Sequence, residues 1–422
     1  LASVKYLYIY ISFLIMLLLY FPLGSYFFSF AILAILTNDK NKKEYEYVII
    51  VIFLILILSM IINNISLQSF LITEDDFTTY YNNYIQLLDG NYKALFYFGG
   101  GIEIGLPLLN LLIANLLKLP YPYMLKSIYI LLFIFFAISL TNQSAKYLKN
   151  KVGETHINKM FLLLCYLLFM KLSMLLTIER QAIASYFILL AVFTDSKKKY
   201  IWIFIGSLFH LTTPFVYLVV NKVIKINDYK LLFKYSVIVV IFSFFLINAL
   251  NLIWTLFPNP KLGYLMMYID SPGLIDNERR KVLKEILYFI PILTLSFFCL
   301  QKKMNIKMLP SVLFLIILMF SLSNLPGVPI RLCMPILFFM VGYYFYSIIK
   351  KYNVKFQILI VIFFSFLFSL QTFKAVGYYS RYPMISSSPA YYVKYFFESK
   401  SYINREALPR IEQITRTNDN KL

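Results

Sequence analysis

Long apolar blocks separated by short lysine-rich turns run along this chain. Val48 to Ile62, Ile128 to Leu140 and Val237 to Ile247 each carry almost no polar side chain. A block approaching about 18 apolar residues is long enough to cross a bilayer. Lipid cannot hydrogen-bond an open backbone, so repeated blocks of this kind become helices. The first block, Tyr6 to Leu36, is too long for one span and holds Pro22 and Gly24 near its middle. That predicts two short helices in a hairpin. Further spans are predicted over 48–62, 123–142, 158–177, 179–194, 235–252, 285–300, 308–323, 331–349 and 356–373. A short pair covers 200–221, broken near His210 to Pro214. The pattern predicts an all-α, polytopic integral membrane protein of about 11–13 transmembrane helices. One helical domain takes up residues 1–373, and a polar tail runs over 374–422. No internal repeat and no second soluble domain are apparent.

The turns set the orientation. Lysine clusters stand at Lys40, Lys42 and Lys43, at Lys146, Lys149 and Lys151, and at Lys197 to Lys199. Others follow at Lys222, Lys225, Lys230 and Lys234, at Lys302, Lys303 and Lys307, and at Lys350, Lys351 and Lys355. Counting spans puts all of them on one side, which the positive-inside rule makes the cytoplasm. The N-terminus is then expected inside and the C-terminus outside. Two long loops, over 63–122 and 253–284, and the tail fall outside. The first loop is net acidic, with Glu74, Asp75, Asp76, Asp89 and Glu103 against Lys93 and Lys118.

Composition agrees. The chain is 60% hydrophobic and only 14% charged, where soluble domains carry about 25% charged residues. Its mean hydropathy is +0.72. A net charge of +20 would suit a nucleic-acid partner, but the cations lie in topology-setting clusters and not on a polar face. No nucleic acid is expected. Cys165, Cys299 and Cys333 all lie in apolar segments, so neither a disulfide framework nor a metal spacing is expected. No small-residue cleavage site follows the first apolar run, so no cleavable signal peptide is expected.

Ionisable residues at the lip of a bilayer are costly and tend to be functional. Lys171, Glu179, Arg180, His210 and Arg331 all fall toward the outer side in this topology. Taken singly, each reads as an interfacial anchor with its charge in the headgroups. Taken together, Arg180, His210 and Arg331 make a candidate site. Arginine stays charged and offers a planar fork that matches phosphate, and Lys171 would meet the same anion as a point charge. Arg180 opens a helix, where the dipole favours anions, and Gln181, Ala182, Ala184 and Ser185 after it allow close helix packing. His210 is a structural group or a base. In the first loop Asp76 and Tyr80 are four apart, on one helical face, with Asp75, Tyr81 and Tyr84 beside them. Glu103 stands in Gly99-Gly100-Gly101-Ile102-Glu103-Ile104-Gly105, ahead of Leu106 to Leu117. That stretch reads as an interfacial or re-entrant helix, with Glu103 and Asn110 on one face if the helix reaches back that far. Its acids are equally well read as simply solvated. The three glycines lack the lysine of a nucleotide loop. Aromatic residues make up 19% of the chain. Tyr264, Tyr268, Tyr378 and Tyr379 belong to the usual interfacial belt or stack on sugar rings.

At these residues the chain resembles the EpsG/Wzy-type polysaccharide polymerases of bacterial O-antigen, capsule and exopolysaccharide pathways. The resemblance rests on Asp76-Phe-Thr-Thr-Tyr80, Glu103-Ile-Gly105, Leu109-Asn110, Arg180-Gln181-Ala182, the turn Lys197 to Lys199 and Phe209-His210. It runs over roughly residues 60–220, with Arg331 at a later outer helix start. The family often has Arg and then Gly-Thr-Asp where Leu71 to Asp75 stand, and Pro where Ile104 stands.

The resemblance implies an integral-membrane glycosyltransferase of the bacterial cytoplasmic membrane. Its substrate would be an undecaprenyl-pyrophosphate-linked oligosaccharide, joined into longer chains at the outer face. Membrane lipid, a chain-length regulator and a flippase are the partners that go with this. Arg180, Arg331, Gln181, Lys171, Arg279 and Arg280 would hold the pyrophosphate. Glu103 is the first choice of base, with Asp76 and His210 behind it, and Tyr80 and Asn110 in support. No cofactor and no metal are expected. Three rivals come from the same pathway. A flippase predicts an internal repeat and short outer loops. An O-acyltransferase predicts a His/Asp constellation or a His facing the cytoplasm, where only His156 lies. A ligase differs from the polymerase only in its acceptor.

Overall fold

The computed structural model describes residues 2–39, 43–64, 76–118, 122–154, 156–194, 196–256, 263, 266–267, 271–301, 307–325 and 327–374. Among these residues the fold is helical throughout, with no strand. The helices are α1 Ala2–Tyr20, α2 Pro22–Leu36, α3 Glu46–Asn64, α4 Asp76–Leu88, α5 Gly105–Leu117 and α6 Pro122–Tyr147. Then come α7 Lys159–Phe169, α8 Leu172–Thr177, α9 Glu179–Phe193, α10 Lys199–Phe209, α11 Thr213–Lys225 and α12 Tyr229–Leu256. Last are α13 Pro272–Leu287, α14 Ile290–Gln301, α15 Leu309–Ser321, α16 Val328–Ile349 and α17 Val354–Lys374.

The protein is a polytopic helical membrane protein. Glu46–Asn64, Met124–Lys151, Tyr229–Leu256, Val328–Ile349 and Val354–Gln371 are each long and apolar enough to cross a membrane, five in all among the described residues. Gly273–Leu287 and Ile290–Gln301, bent by 45°, make a sixth if taken as one span. Several of the remaining expected spans correspond to apolar helices of 10–17 residues, among them Lys159–Phe169, Lys199–Phe209 and Leu309–Ser321. The first apolar block breaks at Phe21, with Pro22 at the first position of α2, where its missing amide proton costs nothing. The pair over 200–221 breaks at His210, and Pro214 lies in the first turn of α11.

Two stretches differ from the sequence pattern. The block over 158–177 is not one helix: it breaks at Met170, whose backbone is extended, into α7 and the short α8, while the boundary at Ile178 falls where the pattern separates 158–177 from 179–194. The loop over 253–284 contains most of α13. Hydropathy passes over that helix because its residues are polar. Its buried positions Glu278, Val282 and Glu285 nevertheless keep a helical spacing.

Three of the lysine-rich turns, those near residues 40, 150 and 350, meet at one end of the bundle. Asn158 Nδ2 donates to the Thr37 carbonyl at 2.9 Å and lies 3.2 Å from Asn38 Oδ1. The Asn158 amide donates to the Tyr346 hydroxyl at 3.0 Å. Glu154 pairs with Lys350 at 2.8 Å and Lys351 at 3.6 Å. Between the ends, α7 crosses α16 with backbones almost touching. A Cβ on Gly342 would lie 2.2 Å from the Cys165 carbonyl oxygen. Only a residue without a side chain fits there, the small-residue packing common between membrane helices.

Candidate functional site

At the opposite end, a glycine turn aims a carboxylate into the bundle. Gly99, Gly100 and Gly101 have φ of 58°, 67° and 89°. Three consecutive left-handed residues are accessible only to glycine. The turn folds Glu103 back over Gly99, where a Cβ would meet its Cγ at 2.5 Å. Gly105 then opens α5 hard against the end of α10. A Cβ there would sit 2.8 Å from the Phe209 ring and 3.0 Å from the Leu208 carbonyl carbon. These two close approaches put Glu103 beside the break at His210.

That break supplies donors. His210 is extended, with φ −153° and ψ 120°, so the Leu211 amide leaves the helical ladder. It donates to Glu103 Oε1 at 2.9 Å. His210 Nδ1 lies 2.8 Å from the same oxygen. Glu103 Oε2 accepts from Arg180 Nη1, in the first turn of α9. Glu103 is 4% exposed, whereas Arg180 and His210 keep 27% and 24%. Burial pushes the Glu103 carboxyl up, but the His210 hydrogen bond, the Leu211 amide and the charges of His210 and Arg180 together hold it below the usual carboxylate value. An ionised Glu103 cannot donate, so the proton in its bond to His210 sits on Nδ1; when the ring is neutral, Nε2 is then the acceptor nitrogen.

Aromatic rings seat the arginine. The Arg180 guanidinium carbon lies 4.5 Å from the Phe98 ring centre and 5.8 Å from that of Tyr80. Tyr80 and Phe98 pack edge to face at 5.8 Å. Behind them is a buried polar knot. Asn110 Nδ2 donates to Asn83 Oδ1 at 3.1 Å and to the Tyr80 carbonyl at 3.4 Å, and Tyr129 donates to Asn110 Oδ1 at 2.6 Å. Asn83 Nδ2 donates to the Ala94 carbonyl at 2.7 Å. The knot ties α4, α5, α6 and the turn before Phe98 together.

The expected site residues therefore divide. Glu103, Arg180, His210 and Tyr80 converge. Asn110 does not share a helix face with Glu103, because Glu103 lies ahead of α5; it holds the scaffold instead. Gln181 Nε2 donates to the Arg331 carbonyl at 3.3 Å, joining the starts of α9 and α16. Arg331 itself is exposed, and among the described residues no carboxylate pairs with it. Lys171 pairs with Glu285, with its ammonium 3.5 Å from the Tyr288 ring centre. Arg279 forks onto Asn324 Oδ1 at 3.1 and 2.8 Å. Arg280 is exposed, and Glu179 is fully buried. Asp76 is the first residue of α4, and its side chain lies outside the described residues. So do Glu74, Asp75, Tyr264, Tyr268, Lys302, Lys303, Tyr378, Tyr379 and the whole tail. Sequence reasoning missed Asn83 and Glu278. Asn83 carried a signal, a polar residue on the face formed by Tyr80, Tyr84 and Leu87.

The EpsG family model matches residues 70–386. No curated protein and no solved structure matches the chain.

Proposed function

The chain belongs to the EpsG family, and on that premise we propose that it is a polysaccharide polymerase. It joins undecaprenyl-pyrophosphate-linked oligosaccharide repeat units at the outer face of the cytoplasmic membrane. The observation that carries this reading is the convergence of Glu103, Arg180 and His210 at one end of the bundle. Three of the lysine-rich turns meet at the other end, and by the positive-inside rule they belong to the cytoplasmic side.

The reaction breaks the bond between the anomeric carbon of the growing chain and its pyrophosphate. It forms a bond from that carbon to a hydroxyl oxygen of the incoming unit. Negative charge builds on the leaving pyrophosphate, so fixed cations there lower the barrier. Arg180 and the exposed Arg331 supply them. The hydroxyl proton goes to His210 Nε2, and Glu103 holds the ring by Nδ1. Glu103 suits this orienting part better than that of base. Both its oxygens are occupied, and its carboxyl is held acidic. Gln181 ties the two arginine-bearing helices together.

The test is deletion of the gene in its host, complemented with wild type, Arg180→Ala or Arg331→Ala. Surface polysaccharide is then run on a gel. A polymerase deletion leaves a single repeat unit, and wild type restores the ladder. Arginine variants that reach the membrane should not restore it. Loss of even the single-unit band would point to a flippase or ligase. Loss of acyl groups alone, with an intact ladder, would end the polymerase reading.

A further inference from the structure

α13 turns both of its glutamates inward, and each one holds something. Glu285 pairs with Lys171. Glu278, 8% exposed, accepts the Gly327 amide on Oε2 at 3.2 Å, while its Oε1 pairs with Lys281. The next residue, Arg279, grips Asn324 with two nitrogens. Asn324 and Gly327 belong to the turn that ends α15 and starts α16. Gly327 is the N-cap of α16, at φ 67°, and its carbonyl accepts the Arg331 amide at 3.1 Å.

A helix start normally draws on a side-chain cap, and often on a glutamate three residues in that reaches back to the cap amide. Gly327 has no side chain, and the residue three positions on is Ile330. Glu278 supplies the missing carboxylate from another helix. The residue whose amide it holds is the one whose carbonyl accepts the Arg331 amide at the start of α16.

The geometry points to Glu278 as the positioning residue of Arg331, with Arg279 and Asn324 as a second grip on the same turn. This rests on the proposed role of Arg331 at the pyrophosphate. α13 then acts on the reaction through the start of α16, and Arg279 is occupied with the turn and does not hold substrate. Arg331 needs such help because its charge stands exposed on the first turn of its helix. On the other side the Gln181 bond to the Arg331 carbonyl limits its freedom.

A double-substitution cycle tests this. The full chain is purified into lipid nanodiscs. Lipid-linked repeat unit extracted from the deletion strain is the substrate, and initial rates are followed over its concentration. Glu278→Ala is expected to lower kcat/KM about tenfold or more, the loss of roughly 1.4 kcal/mol of transition-state binding. Glu278→Gln keeps an acceptor for the Gly327 amide and is expected to stay within about threefold of wild type. In an Arg331→Ala background, Glu278→Ala should cost less than about twofold further. If Arg331→Ala is impaired and Glu278→Ala still multiplies the loss tenfold, Glu278 does not work through Arg331 and the inference fails alone. If Arg331→Ala is fully active, the clamp of the proposed function fails and takes this inference with it. Should Glu278→Ala not reach the membrane, Asn324→Ala breaks the more exposed grip and enters the same cycle with the same expectations.

Discussion

Replacing Glu103 by Gln probes the centre of the site with almost no change of shape. The carboxylate serves three donors: His210 Nδ1, the Leu211 amide and Arg180 Nη1. A glutamine has one acceptor oxygen and one donor nitrogen. With its oxygen toward His210 and Leu211, its amide nitrogen faces the Arg180 guanidinium, donor against donor. A hydrogen bond to a charged group contributes about 1.5–3 kcal/mol. Arg180 retains 27% exposure, so water repairs part of the loss and about 2 kcal/mol is expected to remain. If all of it is expressed in the transition state, kcat falls roughly 30-fold. The Nδ1 proton also loses its ionic acceptor, which adds to the fall and does not reverse it. The assay is the initial rate of chain extension by purified protein in nanodiscs, beside a thermal melt of the same preparation. A kcat within about twofold of wild type would refute the reasoning, because neither the charge nor the histidine tautomer would then matter.

Gly342→Ala should prevent stable assembly, since its Cβ would fall 2.2 Å from the Cys165 carbonyl oxygen and α7 and α16 would have to separate. Detergent-solubilised yield on a sizing column reads this, and a normal monodisperse peak would contradict it. Lys171→Met alone leaves Glu285 buried without its cation and should cost about 3–5 kcal/mol. The double substitution Lys171→Met with Glu285→Leu should regain most of that, as a melt of the three proteins will show. Acid sensitivity follows from the depressed Glu103 carboxyl. Its stabilising effect is complete above its ordinary value of 4.5 and is lost as pH falls through the lower folded-state value. The melting gap between wild type and Glu103→Gln should therefore close as pH drops below about 4. A gap that widens there would reverse the sign.

Much of the architecture is legible because lipid leaves the chain few options. Pro22 and Pro214 mark helix starts, and three of the lysine clusters mark turns that meet in space. The break at Met170 is another matter. Apolar residues continue on both sides of it, with Lys171 and Ser173 the only polar interruptions before Thr177, and hydropathy records burial, not helix direction. α13 is hidden for the opposite reason, since its residues are polar and a hydropathy window passes over them. Arg180, His210 and Glu103 stand out in the sequence as ionisable groups near membrane helix ends. What the sequence does not carry is which of them touch. Glu103 and Arg180 are 77 residues apart, and the contact depends on Gly105 letting α5 approach Phe209. Lys171 and Arg279 resemble Arg180 in type and predicted depth, yet Glu285 and Asn324 engage them. Neither partner can be chosen from one sequence without the fold.

The two arginines differ in a way that suits two moments of one reaction. Arg180 is half-buried, neutralised by Glu103 and seated on Phe98, so its direction is fixed before any substrate arrives. Its Nε is buried without a hydrogen-bond partner among the described residues, and such a group costs about 1–3 kcal/mol while it stays unmatched. Arg331 has no carboxylate partner among the described residues and stands exposed, so its field reaches outward and draws an anion in at long range. Under the proposed reading, Arg331 meets the pyrophosphate early and Arg180 meets the charge that grows as the bond breaks. The loss in Arg331→Ala should then fall mainly on KM, and the loss in Arg180→Ala mainly on kcat. The reverse split would mean that the buried guanidinium only holds Glu103 in place.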